Sequence, residues 1–324
     1  MRPNSPICPK DSLPKVGQGV FGRFAPSPTG RMHLGNVFCA LLSWLSTKSQ
    51  GGDWLLRIED LDPQRSRRSY AMQLQEDLQW LGLPWDGEVV WQSERSDIYL
   101  HYLQQLKDAG LTYPCFCSRA DIMATQAPHE TDGRIVYAGT CRGKILDEMD
   151  KNTPAAIRLM VPDEVITFQD GHYGEQQVNL AEHCGDYILR RKDGAWAYQL
   201  AVVVDDALMG VTEVVRGRDL LLSTPQQLHL YRTLASLSSP FKVGRGVSFC
   251  HHPLLLGESG QRLCKRDHDM DLGVLQAKHV GPKEIIGRLA YLAGIIPEPT
   301  PALPQDLLPF FSWQKVPTQD IIVK

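Results

Sequence analysis

The sequence predicts an α/β protein built on a doubly wound parallel sheet of the Rossmann-like type, with an insertion and a small C-terminal helical segment. Two observations lead to this prediction. Residues 20–60 have the pattern of one βαβ unit, in which a helix connects two parallel strands. Strand and helix patterns return after residue 186, beyond a stretch that is rich in Cys, Gly, Asp and Thr. The sheet is therefore predicted to be interrupted by an insertion and then continued.

Turn signals define the βαβ unit. A short strand at 20–25 leads into a tight turn at 26–30, which contains two prolines and a glycine. A helix is predicted at 33–49, and the glycines at 51 and 52 end it. The second strand, at 54–59, is mostly apolar, as expected of a parallel strand that is buried on both faces.

The rest of the chain divides by pattern. Apolar residues recur at helical spacing at 74–81 and 99–106. After the insertion, strands are predicted at 187–190, 198–204 and 212–216, and a helix is predicted to begin near Thr224, where Pro225 suits a first turn. The predicted division is a disordered lead-in (1–18), the first half of the α/β domain (19–112), the insertion (113–185), the second half (186–245), and a cationic loop with a helical segment (246–324).

Composition and charge exclude several classes of protein. The net charge is −3 and the sequence pI is about 6.4, which excludes a protein that binds nucleic acid through a high overall positive charge. The longest apolar run, 200–204, is far shorter than the roughly 20 residues of a membrane-spanning helix. The polar N-terminus lacks the apolar stretch of a secretion signal, and eight cysteines are too few for a disulfide scaffold. We therefore expect a cytoplasmic protein with reduced thiols and no membrane association.

A possible phosphate site follows the first strand. The segment 23–36 combines a strand end, a turn and a predicted helix start. Helix N-termini present unpaired N–H groups and a positive dipole, which favour phosphate. His33 would add a donor, and Gly35 would let a nucleotide approach the backbone closely. A plain βα turn with a surface histidine fits this pattern equally well.

A second segment, 260–267, contains three cations. Arg262, Lys265 and Arg266 follow Gly260 and could clamp a triphosphate and stabilise its developing charge. A solvated run of charges explains such a stretch as well.

The insertion has cysteines at metal-ligand spacing. Cys115 and Cys117 form a C-x-C pair, and Cys141 follows about two dozen residues later. Three thiolates suit a structural zinc site that lacks one ligand, and a metal could fold a segment with so little apolar periodicity. His129 is the ordinary choice for the fourth ligand. The alternative is three unpaired cysteines.

Four motifs in order resemble the class I aminoacyl-tRNA synthetases of the glutamyl group. They are RFAPSPTG-x-x-H-x-G at 23–35, RIED at 57–60 with Asp62, YQLAVVVDD at 198–206, and VRGRDL at 215–220. Only about fifty residues follow the cationic loop, too few for a large anticodon-binding domain. The short form resembles the glutamyl-queuosine tRNA(Asp) synthetase family.

The resemblance implies an activity and a set of partners. Members of this family activate L-glutamate with ATP, without tRNA, and transfer it to the queuosine base in the anticodon of tRNA(Asp). Mg²⁺ is the expected companion of ATP, and no obligate protein partner is predicted. Two alternatives remain: a truncated glutamyl-tRNA synthetase that charges a tRNA 3′ end, and an inactive paralogue that binds tRNA.

The resemblance also assigns roles to residues. Two guanidinium groups for two carboxylates and one acid for one ammonium match the charges of glutamate. Alternatives on the residues themselves are an ion pair of Glu59 with Arg57 and a core role for Tyr198. The expected glutamate site is Arg23, Ser27, Glu59, Tyr198 and Arg216. The expected ATP site is His33, Gly35, Asn36, Arg262, Lys265 and Arg266, of which His33 and Lys265 are expected to be catalytic.

Two residues depart from the family pattern, and the resemblance also supplies a fourth ligand for the metal site. Asn36 ends the first signature, and Cys264 stands in the cationic loop where serine is usual. In the resembling family the insertion resembles an acceptor-binding domain and holds zinc with a tyrosine as fourth ligand, a place that Tyr137 fits. The expected structural zinc site is Cys115, Cys117, Tyr137 and Cys141, with His129 as the alternative fourth ligand.

Overall fold

A seven-stranded sheet forms the centre of the computed structural model, which describes residues 19–124, 136–144, 153–238, 241, 246–261 and 271–323. Neighbouring strands are parallel except for the last pair, a hairpin. In order across the sheet they are β3 (Val90–Trp91), β2 (Asp53–Ile58), β1 (Phe21–Phe24), β9 (Glu213–Gly217), β10 (Ser248–His252), β6 (Val165–Asp170) and β7 (Gly174–Asn179).

Helices pack on the sheet, and further helices follow its last strand in the C-terminal part of the chain. The described residues also include short 3₁₀ helices at Gln92–Glu94, Arg218–Ser223 and Leu308–Phe310. The α-helices are α1 (Leu34–Ser49), α2 (Arg68–Trp80), α3 (Ser96–Asp108), α4 (Arg119–Ala124), α5 (Leu180–His183), α6 (Tyr198–Leu208), α7 (Thr224–Leu237), α8 (Leu272–Ala277), α9 (Pro282–Leu292) and α10 (Pro304–Leu307). No helix in the described ranges has the length and apolar character needed to cross a membrane.

The first βαβ unit confirms the predicted fold class. Strand β1 leads into α1, and β2 returns parallel to β1. Helix α1 is buried along most of its length and packs directly on the sheet. A Cβ atom at Gly22 would collide with the side chain of Thr47, so the glycine allows this close approach of helix and strand.

The insertion contributes to two sheets. Strands β4 (Thr112–Cys115), β5 (Ala156–Leu159) and β8 (Tyr187–Arg190) form a separate antiparallel sheet. The hairpin β6–β7, from within the segment predicted as the insertion, instead extends the main sheet next to β10. A last short pair, β11 (Leu255–Leu256) and β12 (Ile321–Ile322), ties the C-terminal segment back to the α/β domain.

The prediction of a strand at 198–204 is wrong, because these residues form the first part of helix α6. The run from Leu200 to Val204 is apolar at every position, so its periodicity does not distinguish a buried strand from a buried helix. In the structure all five residues are buried, and the helix packs against α3 and α7. Burial of every residue in this run removes the alternation that an exposed face would produce.

Several predictions lie outside the described residues. They concern the first eighteen residues, His129, and the cationic loop with Arg262, Cys264, Lys265 and Arg266.

Candidate active site and metal site

A cavity of about 470 Å³ lies where the strand order of the main sheet reverses, between β1 and β9. In open α/β sheets ligands bind in the crevice at this switch point, beyond the carboxyl ends of the strands. The structure brings together there all the predicted glutamate and ATP residues that it describes. These are Arg23, Ser27, His33, Gly35, Asn36, Glu59, Tyr198 and Arg216.

One wall of the cavity is a buried network of charges. Glu59 directly follows β2, and its carboxylate lies 3.2 Å from Arg57 Nη2, the ion pair that the sequence offered as an alternative. Arg57 is completely buried and also lies 2.5 Å from Asp206 Oδ1. Burial raises the pKa of Glu59, and Arg57 and Arg23 oppose this shift only in part. The acid at this wall is therefore held without a full compensating charge.

Asp206 is shared between two arginines. Its Oδ1 lies 3.4 Å from Arg23 Nε and 2.5 Å from Arg57 Nη1. Burial alone would raise the pKa of Asp206, but Arg57 and Arg23 hold it below its ordinary value. Arg23 also donates to the carbonyl oxygen of Val215, at 3.3 Å, which aligns its side chain between β1 and β9.

Asp205, the neighbour of Asp206 on α6, anchors this helix. Its carboxylate accepts hydrogen bonds from Arg95 Nε at 2.6 Å, Gln92 Nε2 at 2.8 Å and Tyr99 Oη at 2.8 Å. The Asp205 side chain is completely buried and its charge is satisfied on several sides. Since Tyr198 begins the same helix, this anchor also places Tyr198 at the cavity.

Arg216 has a different environment from Arg23. It lies on β9, is 4% exposed, and donates to neutral acceptors. Burial raises the pKa of Tyr198 while the charge of Arg216 opposes the shift, which places the hydroxyl in the field of this guanidinium. Arg23 and Arg216 therefore differ, because Arg23 already has an acidic partner in Asp206.

The N-terminus of α1 also lines the cavity. His33 caps the helix: its Nδ1 accepts from the N–H of Gly35 at 3.1 Å, and Asn36 Oδ1 accepts from the N–H of His33 at 3.1 Å. With Nδ1 as acceptor, the proton of the neutral ring is on Nε2, the atom that can donate to a phosphate. A Cβ atom at Gly35 would lie 3.0 Å from the His33 ring, so the glycine leaves room for this cap.

The three predicted cysteine ligands form a cluster in the insertion. Their sulfur atoms lie within 4.8 Å of one another, and Cys117 Sγ is 3.5 Å from Cys141 Sγ. Tyr137 Oη lies 3.4 Å from Cys115 Sγ and 3.7 Å from Cys117 Sγ. Zn–S bonds of about 2.3 Å in a tetrahedron would separate two sulfurs by about 3.8 Å, so this donor set fits a metal ion of that size.

Electrostatics at the cluster favours a thiolate at one of the three cysteines, Cys141. Burial raises the pKa of Cys141, but hydrogen bonds from Tyr137 and the backbone of Phe116 lower it to about 7. The N–H of Cys141 in turn donates to Tyr137 Oη at 2.9 Å. The cluster can therefore hold a thiolate near neutral pH, the form of cysteine that binds metals.

Asp186 holds together the two segments that carry the cysteines. Its carboxylate accepts hydrogen bonds from Tyr113 Oη at 2.6 Å, Arg142 Nη2 at 2.9 Å and the N–H of Val161 at 2.8 Å. Tyr113 is two residues before the first cysteine, and Arg142 directly follows the last one. Asp186 thus joins both cysteine segments to the insertion sheet.

Sequence reasoning assigned no role to most of the buried charges behind the cavity. The missed residues are Asp205 and Asp206, which support the first wall, and Asp170 and His251, which contact one another behind Arg216. The adjacent acids that directly follow the apolar run 200–204 were a usable signal, because a buried acid needs a partner. The long-range pairing of Asp170 with His251 leaves no such local signal.

Comparisons with known proteins agree with the fold. The family model for the catalytic domain of class I tRNA synthetases (E and Q) matches residues 19–299. A glutamyl-Q tRNA(Asp) synthetase of Symbiobacterium thermophilum is 45% identical over 93% of this chain and 94% of its own length. One of Nitratidesulfovibrio vulgaris is 43% identical over 94% of this chain and 95% of its own length.

A solved structure is similar over almost the whole chain. The crystal structure of a glutamate tRNA ligase from Elizabethkingia meningosepticum has a TM-score of 0.77 and 28% identity, and covers 95% of this chain and 67% of the ligase. The chain therefore belongs to the class I tRNA synthetases of the glutamate and glutamine group, and within them to the glutamyl-Q tRNA(Asp) synthetases, which are ligases of the aminoacyl-tRNA synthetase type.

Proposed function

We propose that this enzyme activates L-glutamate with ATP in the absence of tRNA and transfers it to the queuosine base in the anticodon of tRNA(Asp). The observation that carries the proposal is the cavity in which Arg23, Glu59 and Arg216 meet the N-terminus of α1. The names of the curated relatives supply the acceptor. Since ATP and tRNA are available in the cytoplasm, we also propose that the enzyme acts there.

The charges of the cavity match those of glutamate. Glu59 would hold the α-ammonium, and the guanidinium groups of Arg23 and Arg216 would hold the two carboxylates. Ser27 and Tyr198 line the same space and can donate hydrogen bonds to the bound amino acid. A neutral or cationic amino acid brings one carboxylate instead of two, so one of these two guanidinium groups would have no substrate anion to bind.

The α1 end of the cavity suits ATP. His33 would donate to a phosphate, Asn36 lies in the first turn of the helix, and Gly35 allows close approach of the nucleotide. In the adenylation step a carboxylate oxygen of glutamate attacks the α-phosphorus, and the bond to the leaving pyrophosphate breaks. Mg²⁺ would accompany the phosphates. Arg262, Lys265 and Arg266, which lie outside the described residues, are proposed to neutralise the leaving group, with Lys265 the main catalytic cation.

The reaction can be tested in two steps. Glutamate-dependent exchange of labelled pyrophosphate into ATP should proceed without tRNA. Labelled glutamate should then be transferred to queuosine-containing tRNA(Asp) from which the 3′-terminal adenosine has been removed, and not to the same tRNA without queuosine. Exchange that requires tRNA(Glu), or labelling only of an intact 3′ end, would identify a glutamyl-tRNA synthetase instead. Absence of any exchange would identify an inactive paralogue.

We further propose that the cysteine cluster holds one structural zinc ion, with Tyr137 as the fourth ligand. The short distances among Cys115, Cys117, Cys141 and Tyr137 support this, as does the soft donor set. When bound, zinc would supply cross-links that stabilise the insertion, whose cluster otherwise buries few apolar side chains.

Replacing Cys141 with serine should remove the metal and loosen the insertion. We expect about one zinc per chain in the unmodified protein purified without chelator, and much less in Cys141→Ser, as measured by plasma emission spectroscopy. Limited proteolysis should cut the variant faster within 113–185. Cys184→Ser is the control, because Cys184 lies outside the cluster and should leave the metal content unchanged. Metal-free unmodified protein of normal stability would contradict the zinc site.

A further inference from the structure

We propose that Asp170 and His251 are positioning residues that orient Arg216 for a substrate carboxylate without neutralising its charge. The inference rests on the proposed function, because it concerns how the glutamate site is held. No motif of the sequence pointed to either residue. Both lie behind the cavity wall, Asp170 at the end of β6 and His251 on β10.

The three side chains form a continuous buried chain of hydrogen bonds. Arg216 Nε donates to His251 Nε2 at 3.0 Å, and His251 Nδ1 lies 2.6 Å from Asp170 Oδ2. The exposed fractions of these residues are 4%, 0% and 1% for Arg216, His251 and Asp170, respectively. Water is thus excluded from the chain, and each contact is strong in this environment.

The geometry determines the state of the histidine. A guanidinium has only donors, so His251 Nε2 must accept, and the single ring proton must be on Nδ1, where it is donated to Asp170. The ring is therefore neutral. Burial and the nearby Arg216 lower the pKa of His251, and Asp170 opposes this shift only in part. The imidazole consequently separates the negative charge of Asp170 from the positive charge of Arg216 by the width of one ring.

The remaining donors of Arg216 also meet neutral acceptors. Gln227 Oε1 lies 2.7 Å from Nη1, Thr224 Oγ1 lies 2.8 Å from Nη2, and the carbonyl oxygen of Leu220 is 3.3 Å from Nη2. Among the described residues, no carboxylate lies within ion-pair distance of Arg216. Its orientation is fully determined by hydrogen bonds while its charge remains available to an anion in the cavity.

Asp170 is itself fixed by the hairpin of the insertion. Its Oδ1 accepts from the N–H groups of His172 at 3.0 Å and Tyr173 at 2.9 Å, which closes the turn between β6 and β7. Because β6 pairs with β10, the sheet also fixes the position of the Asp170 carboxylate relative to the His251 ring. The hairpin therefore contributes to the glutamate site although none of its residues lines the cavity.

The test separates the two substrates of the exchange reaction. His251→Leu removes the acceptor for Arg216 Nε, and we expect the KM for glutamate to rise about ten-fold or more, the effect of losing one charged hydrogen bond. The KM for ATP should change less than about two-fold, because Arg216 is proposed to bind glutamate and not the nucleotide. His251→Gln, whose side-chain oxygen can still accept, should recover part of the loss. Asp170→Asn, a smaller change that keeps the size of the side chain, should raise the same KM.

His229→Gln is the control, since His229 is a half-buried histidine that contacts Tyr187 away from the cavity. It should leave both KM values unchanged. Equal changes in the two KM values, or an unchanged KM for glutamate in His251→Leu and Asp170→Asn, would overturn the inference while the unmodified enzyme still catalyses exchange. Absence of exchange in the unmodified enzyme would instead overturn the proposed function on which the inference rests.

Discussion

Replacing Asp206 with alanine is expected to lower the free energy of unfolding by about 3–5 kcal/mol, because it leaves two buried guanidinium groups without their shared acid. Arg57 would lose its shortest ion pair, and Arg23 would lose its acidic partner. The methyl group that replaces the carboxylate cannot accept either hydrogen bond. We expect the same variant to lose glutamate-dependent exchange, because Arg23 would no longer be held in place at the cavity.

Urea denaturation followed by far-ultraviolet circular dichroism would measure this loss. Asp193→Ala is the matched control: its carboxylate pairs with Arg191 at 2.6 Å, but both side chains are about half exposed, so the pair adds little to stability. The contribution of Asp206 to stability should depend on pH. Since the pKa of Asp206 is lowered on folding, its full stabilisation is present above the ordinary pKa of an aspartate. It is lost as the pH falls from there through the lower pKa of the folded state. An Asp206→Ala variant as stable as Asp193→Ala would show that the buried network is not needed for folding.

Local sequence signals predicted the parts of this molecule that depend on neighbouring residues. The turn at 26–30, the apolar strand at 54–59 and the glycine stop after α1 are all encoded within a few positions, and the structure confirms the unit they form. The motifs also identified eight residues that line one cavity, because these residues lie in or just after β1, β2 and β9, or at the N-termini of α1 and α6.

Interactions between distant segments could not be predicted from the sequence. Asp170 and His251 are 81 positions apart, and Arg57 and Asp206 are 149 positions apart, so neither pairing has a local pattern. Helix α6 was missed for a related reason, since the burial of every residue in its apolar run depends on packing against α3 and α7. Periodicity reports only how one segment faces solvent, and it carries no information when no face is exposed.

Replacing Glu59 with glutamine should separate function from stability. Glutamine keeps the size of the side chain but cannot hold an ammonium group by charge. We expect kcat/KM for glutamate in pyrophosphate exchange to fall by about 10²–10³-fold, which corresponds to about 3–4 kcal/mol, the order expected when a buried charge is left unpaired. The KM for ATP should change little. Glu175→Gln, which alters an exposed carboxylate on β7, is the control and should leave the exchange kinetics unchanged.

Although Glu59→Gln should impair the exchange reaction, it should not lower the free energy of unfolding. Burial raises the pKa of Glu59, so the folded protein holds its charge at an energetic cost at neutral pH. Glutamine removes this cost, and Arg57 keeps Asp206 as its partner. We therefore expect Glu59→Gln to unfold at the same or a higher urea concentration than the unmodified enzyme at pH 7. The difference should vanish at acidic pH, where Glu59 is protonated in both the folded and the unfolded chain. Strong destabilisation at pH 7 would instead show that Glu59 serves mainly as a partner of Arg57, and that the acid at this wall is part of the scaffold and not of the substrate site.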